Sequence, residues 1–63
     1  MVKNLKAIRK AKGLTQADLA VMANINRVTI AKYELGRIDP TLESAKRMAD
    51  VLGVTVDELM KGA

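Results

Sequence analysis

The chain has 63 residues, of which 49% are hydrophobic and only 2% aromatic, a single tyrosine at position 33. This length predicts one small domain spanning residues 1–63. The sequence has no cysteine and no histidine, which excludes disulfides, zinc sites built from these residues and histidine-based catalysis. No apolar run approaches the ~18 residues of a membrane span, and no secretory h-region is present. We therefore expect a soluble, cytoplasmic, all-α domain with an aliphatic core and no metal.

The 11 basic and seven acidic residues are unevenly distributed along the chain. Residues 38–63 contain three basic and five acidic residues. Residues 1–12 contain no acidic residue and five basic ones: Lys3, Lys6, Arg9, Lys10 and Lys12. A strongly positive region favours a polyanionic partner, and nucleic acid is the commonest polyanion. On charge alone, an ordinary solvated surface explains these residues equally well.

Glycines and helix-capping residues divide the chain into five short segments with helical character. Glycines at positions 13, 36, 53 and 62 each follow a segment, at the place where a C-terminal cap would lie. A residue typical of an N-cap precedes four of the segments: Thr15, Asn26, Thr41 and Thr55. The predicted helices cover residues 2–12, 16–23, 27–35, 42–52 and 56–61, and the short connections predict a compact five-helix bundle.

The first predicted helix places Leu5 and Ile8 three residues apart, followed by Ala11. This spacing is typical of one apolar face of a helix. The face predicts that the helix packs on the bundle.

The second and third predicted helices have the features of a helix-turn-helix. Such a pair needs a small residue where the helices cross, and Ala20 meets this need. The turn needs a residue that tolerates a left-handed backbone, and Asn24 is the best substitute for glycine. Apolar residues for locking the pair onto the bundle are Leu19, Ala23, Ile25 and Ile30. Together, at this spacing, these features are fairly specific for a helix-turn-helix.

The fourth predicted helix carries the longest apolar stripe. The stripe consists of Leu42, Ala45, Met48, Ala49 and Leu52. Thr55-Val-Asp-Glu58 then predicts a capping box at the start of the fifth helix, and Thr15-Gln-Ala-Asp18 is a near variant at the start of the second.

Nearly the whole chain resembles the Cro/CI-type (XRE) helix-turn-helix transcriptional regulators, the lambda-repressor-like DNA-binding domain. The similar segments are LKAIRKAKGLTQADLA (5–20), TIAKYELG (29–36) and PTLESAKRMADVLGVTVDEL (40–59). The resemblance implies an all-α bundle of five helices whose third helix lies in a DNA major groove. The chain departs from the usual pattern at the turn, where Asn24 replaces glycine. It departs again at Leu35, where the family frequently has asparagine, and at Val21 and Met22, where polar residues are usual.

Arg27, Val28 and Lys32 lie on one face of the third predicted helix, because steps of four and five residues return to one side. The opposite face carries Ile30, which we expect in the core. The resemblance implies that the three residues contact base edges. Arginine can bond guanine O6 and N7, valine can meet a thymine methyl group, and lysine can reach a guanine or a phosphate. Solubilising charges and a harmless exposed valine are the alternative interpretation.

A second group of residues is expected at the DNA backbone. Gln16 opens the second helix, and the resemblance implies that it anchors a phosphate. Asn26 opens the third helix, where a pure capping role and a phosphate contact are both open. Arg37 follows Gly36 in a loop and is expected to hold a phosphate, and Thr29 is expected to touch the backbone as well.

Arg9 and Glu34 are expected to have a structural role. The resemblance implies an ion pair between them that ties the first helix to the end of the third. Direct contact of Arg9 with DNA is the alternative.

The sequence predicts a sequence-specific regulator that binds double-stranded DNA, a repressor acting on a palindromic operator. We expect it to be a weak homodimer that DNA strengthens, with Val54, Val56 and Met60 as candidate contacts. No enzyme motif, cofactor site or membrane partner is expected. The alternative function is a protein-interaction module, an antitoxin or adaptor, that would use Val21, Met22, Leu35 or Ile38. A basic membrane-surface segment formed by the first helix is a weaker third possibility.

Overall fold

The computed structural model describes residue 2 and residues 4–61, so Lys3 and Gly62 of the predictions above lie outside the described residues. The described residues form five α-helices. These are α1 (Leu5–Ala11), α2 (Gln16–Ala23), α3 (Arg27–Glu34), α4 (Leu42–Leu52) and α5 (Val56–Met60). The predicted all-α bundle is thus confirmed, with the second and fourth helices at their predicted bounds.

The predicted start of the first helix is wrong. α1 begins at Leu5 rather than at residue 2, with Asn4 as its N-cap residue. The side-chain amide of Asn4 does not cap α1, because it donates hydrogen bonds to the carbonyl oxygens of Glu58 and Lys61. Val2 is only 3% exposed and packs in the core. The ends of α1, α3 and α5 each fall one residue before the predicted position.

Side chains cap four of the helices at their N-termini. The hydroxyls of Thr15 and Thr55 each accept a hydrogen bond from the backbone N–H three residues later, at 3.0 Å in both cases. Asp18 and Glu58 return the bond to the threonine N–H, which completes two capping boxes. Thr41 caps α4 and Asn26 caps α3. These bonds satisfy N–H groups that have no partner within their own helix, and so fix where each helix begins.

The core involves all five helices and is aliphatic apart from Tyr33 and Met48. α2 packs against α3 and α4, α1 contacts α3 and α5, and α4 contacts α5. The largest fully buried side chains are Leu5, Leu19, Ile30, Met48, Leu52 and Leu59. The predicted stripe on α4 is wrong at its first member, since Leu42 is 64% exposed while the other four members are buried. Leu42 is the first residue of α4, and helical period gives the direction of a side chain but not whether another part of the chain covers it.

None of the five helices is long and apolar enough to cross a membrane, as far as the described residues go. Within residues 2 and 4–61, no group of three acidic side chains is arranged to hold a metal ion.

Candidate nucleic-acid interface

The connection between α2 and α3 is a tight left-handed turn. Asn24 adopts φ 55° and ψ 49°, and it is the only described residue other than glycine with a positive φ. The N–H of Ile25 donates to the carbonyl of Ala20 at 3.0 Å, which closes the end of α2. Ala20 and Ala23 are buried between the helices. The small side chains and the left-handed asparagine therefore produce the turn in the way the sequence predicts.

The turn is also held from α4. Arg47 donates one hydrogen bond to the Asn24 carbonyl at 3.4 Å and another to the Glu43 carboxylate at 2.8 Å. Arg47 is not among the residues predicted from the sequence. The spacing of four residues from Glu43 is a recognisable signal for an intrahelical ion pair. The bond to Asn24 spans 23 residues and depends on the fold.

The outer face of α3 carries Arg27, Val28 and Lys32. All three are exposed, and Val28 keeps 62% of its surface accessible. Ile30 on the opposite side is completely buried, and Tyr33 is 5% exposed. Neither the Arg27 nor the Lys32 side chain forms an ion pair or hydrogen bond with another described residue. This face therefore presents two positive charges and one apolar side chain to whatever lies outside.

Four further predicted residues lie at the ends of α2 and α3. Gln16 and Thr29 are half-buried, whereas Asn26 and Arg37 are exposed. The Asn26 side chain accepts a hydrogen bond from the N–H of Val28 at 2.8 Å, so its oxygen already serves as the cap. The N–H of Arg37 donates to the carbonyl of Lys32 at 2.9 Å, a path that Gly36 permits with φ 73°. The backbone of Arg37 is thus fixed three residues after the end of α3.

A buried charge cluster joins α1, α2 and α3. Arg9 donates to both carboxylate oxygens of Glu34, from Nε at 2.7 Å and from Nη2 at 3.0 Å. The Arg9 side chain is 8% exposed and the Glu34 side chain 4%. Nη1 of Arg9 donates to the Leu14 carbonyl at 2.8 Å. Gln16 donates from Nε2 to Oε1 of Glu34 at 3.0 Å. The structure therefore brings Arg9 and Glu34 together, and it adds Gln16 to them.

These contacts change the pKa values of the charged groups. Burial alone would raise the pKa of Glu34, but hydrogen bonds from Arg9 and Gln16 and the charges of Arg9 and Lys6 outweigh burial and lower it. The hydrogen bond to Glu34 raises the pKa of Arg9. In the α2 capping box, hydrogen bonds from the backbone and hydroxyl of Thr15 lower the pKa of Asp18. Glu34 is consequently a charged carboxylate at neutral pH.

The left-handed turn, the buried inner face of α3 and its exposed cationic outer face together define a helix-turn-helix domain. A family model described as helix-turn-helix matches residues 5–59. The chain belongs to this family, which confirms the resemblance to the Cro/CI-type (XRE) helix-turn-helix family.

Three relatives illustrate the similarity. The SPbeta prophage-derived HTH-type transcriptional regulator YonR of Bacillus subtilis is 38% identical over 58 residues, which cover 92% of this chain and 54% of YonR. The HTH-type transcriptional activator BcrR of Enterococcus faecalis is 40% identical over 58 residues, 92% of this chain and 28% of BcrR. The immunity repressor of Bacillus phage phi105 is 39% identical over 56 residues, 89% of this chain and 39% of the repressor. The chain thus spans about half the length of these relatives or less.

Proposed function

We propose that this domain binds double-stranded DNA with α3 in the major groove and so regulates transcription. The observation that carries the proposal is the outer face of α3, where Arg27 and Lys32 are exposed without a partner among the described residues. The major groove admits an α-helix, and the contacts that distinguish base pairs there are hydrogen bonds and apolar contacts with base edges. Arg27, Val28 and Lys32 supply both kinds.

The rim of this face suits the DNA backbone. Gln16, Asn26, Thr29 and Arg37 lie at the ends of α2 and α3, and polar side chains and helix N-termini are the usual partners of phosphate oxygens. The Asn26 oxygen is occupied as a cap, but its amide N–H groups have no partner among the described residues. The net charge of +4 favours association with a polyanion. Backbone contacts of this kind orient α3 without selecting a sequence.

We propose a palindromic operator and repression as the finer parts of the function. One short helix contacts only a few base pairs, which is too few to select a site in a genome. Two copies related by a two-fold axis would place their α3 helices in half-sites ~10 base pairs apart. Val54, Val56 and Met60 remain the candidate dimer contacts. Each is half-buried against the core, so the patch is small and the dimer weak without DNA. Relatives named as a repressor and as an activator both exist. Repression is our proposal because a domain bound to an operator can exclude other proteins from that stretch of DNA.

The test is DNA selection followed by affinity measurements on single variants. Duplexes bound by the protein are selected from a random pool, and affinity is measured by fluorescence anisotropy. Arg27→Ala should weaken the binding free energy by about 1–3 kcal/mol on the selected site and by less on random DNA. Lys61→Ala removes the same charge from an exposed position beyond α5 and should change neither affinity. Equal losses on selected and random DNA would show that Arg27 does not contact bases.

The operator geometry has its own test. A full palindrome should bind two copies cooperatively, and an isolated half-site should bind one copy more weakly. Identical affinities and a one-to-one complex on both duplexes would contradict the dimer.

A second function has a specific observation in its favour, the exposed apolar side chains. Val21, Met22, Leu35 and Ile38 are 82%, 57%, 67% and 42% exposed. A protein-interaction module would use them against a partner. The salt dependence of binding distinguishes the two functions. The logarithm of the observed binding constant for DNA falls by about 0.9 per neutralised phosphate for each tenfold rise in salt concentration. An apolar protein interface does not weaken with salt.

A further inference from the structure

The Glu34 carboxylate binds two side chains, and only one of them is charged. Arg9 donates one hydrogen bond to each carboxylate oxygen, which is the complete bidentate geometry of an arginine–carboxylate pair. The bond from Gln16 to Oε1 is additional to that pair. A carboxylate that served only to neutralise Arg9 would not need it. The additional bond links the end of α3 to the first residue of α2.

This bond determines which way the Gln16 carboxamide faces. A glutamine amide has two N–H donors on nitrogen and one acceptor oxygen. A carboxylate accepts hydrogen bonds but cannot donate, so nitrogen and not oxygen must face Glu34. The second N–H of Gln16 has no partner among the described residues, and Gln16 is half-buried rather than enclosed. The free N–H therefore has a fixed direction before any ligand arrives.

We propose that Glu34 is a positioning residue for DNA binding, which acts by holding the Gln16 carboxamide with its second N–H directed at a phosphate. The inference rests on the proposed function. A free glutamine side chain loses rotamer freedom when it binds, and this ordering lowers affinity by about threefold to tenfold per side chain. Glu34 imposes that order already in the folded protein, so DNA binding does not have to restrict the Gln16 side chain and its affinity is not lowered by the lost conformational entropy. The ion pair with Arg9 keeps the carboxylate charged and in place.

The test compares two double variants that both remove the ion pair. Arg9→Met with Glu34→Gln leaves an amide oxygen that can accept the Gln16 bond. Arg9→Met with Glu34→Met leaves no acceptor. Both avoid a buried unpaired charge, since breaking such a pair on one side alone destabilises a fold strongly. Each is measured with and without Gln16→Ala, on a duplex selected by the wild-type protein, after circular dichroism has verified folding.

Gln16→Ala should weaken DNA binding by about tenfold in the wild-type protein, as expected for a hydrogen bond to a charged group. The loss should remain near tenfold in the Met/Gln background and shrink to about twofold in the Met/Met background, where Gln16 is no longer held. Equal losses in the two backgrounds would overturn the inference and leave the proposed function intact. Absence of DNA binding by the wild-type protein would overturn the proposed function and the inference with it.

A measurement without DNA tests the hydrogen bond itself. Gln16 is the only glutamine in the wild-type chain, so its side-chain amide signals in a nitrogen–proton correlation spectrum can be assigned. One Nε2 proton should be shifted downfield in the wild-type protein and should return to the ordinary position in the Met/Met variant. The amide of exposed Asn24 serves as the unchanged reference. Identical Gln16 spectra in both proteins would overturn the inference whatever the DNA affinities are.

Discussion

Leu52→Ala tests whether the stability of this small domain depends on the apolar face of α4. Leu52 lies at the end of α4, is 1% exposed and belongs to the core cluster. Truncating a fully buried leucine costs about 2–5 kcal/mol, because the transfer free energy of the removed methyl groups is lost and a cavity remains. A chain of this length has a total stability of roughly 3–9 kcal/mol at the usual value per residue. The substitution should therefore remove at least roughly a quarter of the stability, and all of it at the unfavourable ends of the two ranges.

The assay is thermal and urea unfolding followed by far-ultraviolet circular dichroism. A loss near 3 kcal/mol should lower the thermal midpoint by roughly 12–24 °C in a domain of this size. Leu42→Ala is the matched control, since it changes the same residue type on the same helix at a position that is 64% exposed. It should cost less than about 0.5 kcal/mol. Similar midpoints for the two variants would refute the assignment of the buried face.

Three further predictions concern the stability of the left-handed turn, the stability of a helix cap and the loss of stability at low pH. Asn24→Ala should destabilise by about 1 kcal/mol in urea unfolding because of the left-handed backbone, whereas Asn24→Gly should stay within about 0.5 kcal/mol of wild type. Thr55→Ala should cost about 1 kcal/mol by the same assay, because the N–H of Glu58 loses its acceptor. The pKa of Glu34 is lowered by folding, so its contribution to stability is complete above the unfolded glutamate value of about 4.3 and is lost as pH falls from there through the folded pKa. Urea unfolding at decreasing pH should show a shallower decline for Arg9→Met/Glu34→Gln, and an unchanged decline would contradict this assignment.

Local features could be predicted from the sequence because their causes lie within a few residues. Both capping boxes depend on residues three positions apart, and Asn24 was expected in a left-handed turn because of its own backbone preference. The burial of Ile30 follows from helical spacing within eight residues. The predicted start of α1 failed for the opposite reason. Asn4 bonds to carbonyl groups 54 and 57 residues away, and no local pattern contains that contact.

Exposure at the edge of the bundle also depends on distant contacts. Leu42 continues the apolar period of α4, but periodicity gives only the direction of a side chain and not whether another helix extends far enough to cover it. The role of Gln16 shows the same limit. Its position at the start of α2 indicated a phosphate contact, whereas its bond to Glu34 spans 18 residues and follows only from the packing of α2 beside α3.

The geometry of the proposed DNA-binding face depends on contacts remote from that face. α3 has eight residues, and isolated helices of this length are not stable in water. Its helical form therefore depends on the burial of Ile30 and Tyr33 and on the Arg9 pair at Glu34, in its last turn. A core variant that lowers the free energy of unfolding should weaken DNA binding only through the smaller folded fraction, and saturating DNA should restore the fold by mass action. Arg9→Met with Glu34→Met should weaken binding even when the protein is fully folded, because it leaves no acceptor to hold Gln16.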